Sequence, residues 1–230
     1  MKTAAKFLFS LLLLCRSGHA QGFVNLNFEA ANLAGFSPGS LVPATNAFPG
    51  WAINAGAGIV YDNFSLSGGS ITICDTNPPT SFQPIKGKFF AFLASANYPG
   101  TGLPISMSQT GQIPVSAESI SFWGTIGGMQ ITFNSQPLNF LVTGSSANYD
   151  IYTADISAYA GQTGQLLFTV PPYVNSAILD NIQFSSSPVP EPATLALAAL
   201  GAGLWGCLRR RQTVNLSAGV KNIFIPCDIP

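Results

Sequence analysis

The chain has 230 residues, of which 8% are charged and 47% hydrophobic, with 23 glycines, 17 prolines and a formal net charge of zero. That length suits one domain plus targeting segments, and so little charge among abundant Gly, Ser, Thr and Asn argues against a helical enzyme and for an all-β extracellular module. The zero is unevenly built: Lys2, Lys6 and Arg16 lie at the start, and Arg209, Arg210, Arg211 and Lys221 near the end. The body keeps Lys86 and Lys88 against Glu29, Asp62, Asp75, Glu118, Asp150, Asp155 and Asp180, which leaves it near −5. A field of that sign excludes nucleic acid and anionic lipid as partners of the body.

Residues 1–20 have the layout of a secretory signal. Lys2 and Lys6 form the charged region, Phe7 to Leu14 the apolar core, and Gly18 and Ala20 the small residues before the cleavage point. Export by the Sec translocon and cleavage by signal peptidase after Ala20 are expected. Cys15 follows Leu14 rather than a small residue, which rejects a lipoprotein signal.

Export permits disulfides, but the cysteines do not supply them. Cys15 leaves with the leader, Cys207 and Cys227 lie near the end, and the body keeps Cys74 alone, read as a small buried hydrophobe. The one histidine, His19, also belongs to the leader. The mature body therefore has no Ser-His-Asp or Cys-His arrangement and no imidazole metal site.

From Gly22 onward, apolar and β-branched runs alternate with Gly, Pro, Asn and Ser clusters. Strands are expected at Phe23–Phe28, Gly58–Tyr61, Ser70–Cys74, Phe89–Ala94, Ile105–Gln109, Ser119–Trp123, Gln130–Phe133, Asn139–Val142, Tyr149–Thr153, Gln165–Val170 and Ala177–Phe184. One helical turn is expected over Asp155 to Gly161, and Gly68-Gly69 and Gly127-Gly128 read as hairpin turns. Eleven short strands predict an all-β, two-sheet sandwich over residues 21–186.

Phe28-Glu29, then Pro49-Gly50-Trp51, and finally Ile178-Leu179-Asp180-Asn181-Ile182 resemble the bookends of jelly-roll carbohydrate-binding modules of galactose-binding-like fold. The resemblance implies a structural calcium held by Glu29 and Asp180. Asp180 shares strand parity with Ile178, Ile182 and Phe184, which predicts an inward-facing carboxylate, costly unless paired or bound to a cation. The alternative is that Asp180 accepts backbone N–H bonds at a strand end while Glu29 is exposed.

Paired carboxylates could serve a glycosidase, and Asp150 and Asp155 are the nearest pair in sequence. Seven acids scattered singly over turns are more simply solubilising surface, so no catalytic residue is assigned and no enzyme is expected. Tyr98 and Tyr173, in Pro/Gly-flanked loops, are candidates for stacking on a ligand, whereas Trp51 and Trp123 are expected in the core.

Near the end come Val189-Pro190-Glu191-Pro192, an uncharged run from Ala193 to Leu208, and Arg209-Arg210-Arg211. The prolines stop a helix from extending back into the domain. The run makes a helix of roughly 24 Å, a little short of the bilayer core, and the arginines favour the cytoplasmic side. This order of motif, span and basic cluster, over residues 187–211, resembles the PEP-CTERM sorting signal of Gram-negative bacteria, which implies recognition by exosortase. Residues 212–230 depart from that pattern and are left unassigned. The resulting expectation is an exported, exosortase-sorted protein of the cell surface or extracellular matrix, with a structural or adhesive sandwich that binds exopolysaccharide. The alternatives are a secreted carbohydrate-active enzyme and a protein whose anchor is never cut.

Overall fold

The computed structural model describes residues 21–189 apart from 57, 63–68, 76–84, 96–102 and 174–175. The chain divides at Val189 and Pro190 into two units. The leader, the span expected over Ala193 to Leu208 and the tail lie outside the described residues. Among those described, no helix is long and apolar enough to cross a membrane.

The body is a sandwich of two sheets. One has five strands in the order β1 (Ala52–Asn54), β5 (Ile105–Gln112), β11 (Thr163–Val170), β7 (Gln130–Phe133) and β8 (Gln136–Pro137). The other has seven, β2 (Ile59–Tyr61), β3 (Ser70–Cys74), β4 (Phe90–Ala94), β12 (Ser176–Ser185), β6 (Ser119–Thr125), β10 (Asp150–Asp155) and β9 (Leu141–Ser145). The strands pair antiparallel throughout, except for β2 with β3. Beyond β4 the chain changes sheet at most connections, so many neighbours in sequence face each other across the core.

Period-two alternation decides what fills that core. Ile120 and Phe122 of β6 and Leu166, Phe168 and Val170 of β11 point inward and are buried. Phe122 meets Phe168 edge-on at 6.2 Å and stacks on Tyr152 at 5.0 Å, and Trp51 closes on Phe168 at 6.0 Å. Edge-to-face packing of this kind adds to plain area burial. The strands β3, β4 and β12 are buried on both faces. Ile71, Ile73, Leu93 and Leu179 enter the main core, while Cys74, Phe90, Phe92 and Ile178 form a second cluster on the opposite face with Ile85.

The alternation at Phe23–Phe28 does not form a strand. Val24 instead exchanges two hydrogen bonds with the Gln109 side-chain amide, at 2.6 and 2.9 Å, so a side chain replaces the ladder. Asn25 and Phe28 then turn the chain at positive φ. Neither glycine pair closes a hairpin. Gly68 lies outside the described residues, and Gly69 leads into a strand that pairs in parallel with β2. Gly127 and Gly128 join β6 and β7, which belong to different sheets. A short helix α1 (Ala44–Ala47) and the strands β1 and β8 are additions to the expected elements. The expected turn is a 3-10 helix at Ser157–Tyr159, followed by Gly161 at φ 75°.

Asp180 does not face the sandwich interior. Its parity is that of Ile178 in the outer cluster, and a bulge between Asp180 and Gln183, with Asn181 at φ 48°, shifts the phase so that Ile182 enters the main core. Asp180 is nonetheless fully buried.

Candidate functional site

What buries Asp180 is the segment running from Ile85 into β4. The Lys86 N–H donates to Asp180 Oδ2 at 3.0 Å and the Asn181 N–H to Oδ1 at 2.6 Å. Glu29 is exposed, and its Oε1 accepts the N–H groups of Lys88 at 2.8 Å and Phe89 at 3.0 Å. Two carboxylates from opposite ends of the domain thus hold one stretch of backbone. Gly87 between them sits at φ 77°, and a Cβ there would fall on the Glu29 carboxylate. Only glycine fits.

Burial pushes the Asp180 carboxyl up to about 7, against the pull of the Lys86 and Asn181 N–H bonds, with the Glu29 charge adding to the rise. These contacts bear on calcium. The ion takes six to eight oxygens, whereas four N–H donors are directed at Glu29 and Asp180. The neighbouring Asn181 Oδ1 accepts from Gln183, and its buried Nδ2 has no partner. Among the described residues no three acidic, His or Cys side chains gather around one point. In the structure Glu29 and Asp180 act together as a peptide clamp on the Lys86–Phe89 backbone.

Lys86 connects the clamp to an aromatic stack. Its Nζ lies 5.5 Å from the ring centroid of Trp123, the cross-strand neighbour of Asp180, and Trp123 stacks on Tyr149 at 5.4 Å with the planes 9° apart. Trp123 is half-buried rather than a core residue, because Ile120 and Phe122 take the inward parity of β6. Lys86 also lines a cleft of about 510 Å³, with Leu26, Asn27, Glu29, Asn181 and Gln183 among others.

The remaining candidates lie apart or are otherwise engaged. Tyr173 is 57% exposed at φ 60°, is not part of this cleft, and Tyr98 lies outside the described residues. Trp51 is buried, as is Cys74, whose thiol is pushed up by burial. Asp150 accepts from Ser145 Oγ at 2.6 Å and from the Tyr152 hydroxyl at 3.3 Å. Asp155 accepts the N–H and hydroxyl of Ser157, which lower its carboxyl. These two acids stand at opposite ends of β10, about 17 Å apart by strand rise, beyond the separation of roughly 5 to 9.5 Å that glycosidase pairs use. Lys86 and Gly87 escape a reading of motifs alone. Their one signal in the sequence is that the only two lysines of the body flank a glycine.

The body is a two-sheet β-sandwich, and the segment after it supplies an address. The model of the PEP-CTERM protein-sorting motif matches residues 188–211, one residue inside the expected boundary. This motif implies an exported protein that is sorted by exosortase to the cell surface. No curated protein matches the chain. Among solved structures, the enzymatically active domain of tailspike protein 4 from bacteriophage CBA120 is similar at 12% identity and a TM-score of 0.40, over 72% of this chain and 21% of that one. The chain spans about a fifth of that structure's length, and none of that protein's activity is carried across.

Proposed function

We propose that this protein is a non-catalytic, structural or adhesive component of the cell surface or extracellular matrix, and that its cleft binds uncharged segments of exopolysaccharide. In this reading a membrane-held intermediate is cut by exosortase and released. The observation that carries the adhesive role is the cleft itself. Asn27 and Gln183 offer amide donors and acceptors, Lys86 and Glu29 offer charges, and Lys86 joins them to the Trp123–Tyr149 stack. A few convergent polar groups beside aromatic surface suit a sugar, whose hydroxyls need partners and whose ring faces are apolar. The negative charge of the body disfavours acidic polymers.

Calorimetric titration of the exported protein against neutral and acidic exopolysaccharides tests this. Binding of a neutral glycan is expected, weakened about tenfold in a Lys86→Ala, Gln183→Ala double variant, which corresponds to about 1.4 kcal/mol. Absence of binding to any polymer would remove the adhesive part of the reading and leave the sorting part standing.

A further inference from the structure

A second pair of buried carboxylates lies elsewhere in the seven-stranded sheet. Asp62 and Asp75 directly follow β2 and β3, and because these strands run parallel with Tyr61 beside Ile73, both acids emerge at the same end. Asp62 is 6% exposed and Asp75 4%. The Asp75 N–H donates to Asp62 Oδ1 at 3.1 Å, and the Tyr61 hydroxyl donates to Asp75 Oδ2 at 2.7 Å. The other Asp62 oxygen, Oδ2, is buried and has no hydrogen-bond partner.

This differs from the clamp at Asp180, where N–H donors meet both carboxylate oxygens. A buried, unmet carboxylate oxygen beside a second buried acid is costly unless a cation is present. The lysines of the body are engaged elsewhere: Lys86 Nζ lies over Trp123 and Lys88 Nζ over the Phe89 ring, 4.8 Å from its centroid. We propose that Asp62 and Asp75 hold a calcium ion at the end of the parallel β2–β3 pair, with Asp62 Oδ2 as a ligand. Calcium tolerates the irregular oxygen geometry of strand ends better than magnesium, which demands an octahedron. Sites of extracellular modules bind in the range of roughly 10⁻⁴ to 10⁻³ M, so the site fills where calcium is millimolar.

The test uses the exported protein stripped with chelator and titrated with calcium, followed by calorimetry and by thermal unfolding. A terbium titration adds a local readout, since the Tyr61 ring beside the site sensitises lanthanide emission. Calcium is expected to bind and to raise the unfolding temperature. Asp62→Asn, which keeps the shape of the side chain, is expected to weaken binding at least tenfold. Tyr61→Phe should keep calcium affinity within a few-fold while dimming terbium emission, and Glu29→Gln should change neither. The proposal is overturned if the stripped protein takes up no calcium, or if Asp62→Asn binds it as well as the parent. It is equally overturned if calcium shifts the unfolding temperature of neither protein while Asp62→Asn is the more stable form, which would assign a shared proton to the pair.

Discussion

Replacing Gly124 by alanine is expected to cost about 3 kcal/mol or more. Gly124 sits in β6, opposite Leu179 of β12 on one side and Asp150 of β10 on the other. A Cβ at this position would clash with the carbonyl oxygen of Ile178. That atom is backbone in a central strand and cannot rotate away as a long side chain would. The strand must move, and with it the register that places Leu179 in the main core and Asp180 under the Lys86 segment. Urea denaturation of the variant should show a much lower midpoint, or no folded baseline, whereas Gly22→Ala, which meets nothing within 4 Å, should unfold like the parent. Equal midpoints for Gly124→Ala and the parent would contradict the close approach of β6 to β12.

In metal-free buffer the protein is expected to lose stability as the pH rises from about 4 to about 8. The Asp180 carboxyl moves from an ordinary 3.8 to about 7 in the fold, chiefly through burial. Its folded value lies above its unfolded one, so the native state binds the extra proton between them. The stabilisation is complete below the ordinary value and lost as the pH rises through about 7. A rise of about three pH units corresponds to something on the order of 4 kcal/mol. Asp62, raised to about 6, acts in the same direction over a lower window. Asp155, lowered by Ser157, acts oppositely, below the ordinary aspartate range. Chemical denaturation at several pH values checks this. Glu29→Gln removes the like charge that helps raise Asp180 and should move the fall in stability to lower pH. A profile that rises towards neutrality in metal-free buffer would contradict a buried, cation-free Asp180.

Much of the fold is legible in the sequence because inward and outward residues alternate so regularly. Ser70–Cys74 and Gln130–Phe133 have the same bounds in sequence and structure, since each is a β-branched or aromatic run between turn residues. The alternation at Phe23–Phe28 is as regular, yet the Gln109 amide takes the place of a partner strand, and a side chain reaching over 85 positions leaves no local trace. The face of Asp180 is hidden for a related reason. One bulge reverses the phase of β12, and parity counted across it fails. Trp123 is legible in principle, because the inward parity of Ile120 and Phe122 already places it outside. The convergence of Asp62 with Asp75 is not, since it depends on β2 pairing in parallel with β3, which no turn signal announces.

The address remains the firmest functional statement about this chain, and the motif at 188–211 is what carries it. The most direct test expresses the full chain in a host with and without its cognate exosortase, and measures the intact mass of the protein in membrane and external fractions. With exosortase, a released species shortened near Pro190 and lacking the last forty or so residues is expected. A Pro190→Ala, Glu191→Ala, Pro192→Ala variant should instead stay full-length at the C-terminus in the membrane. The same uncut, membrane-held species in both hosts would contradict sorting, and the protein would then be a plain anchored one.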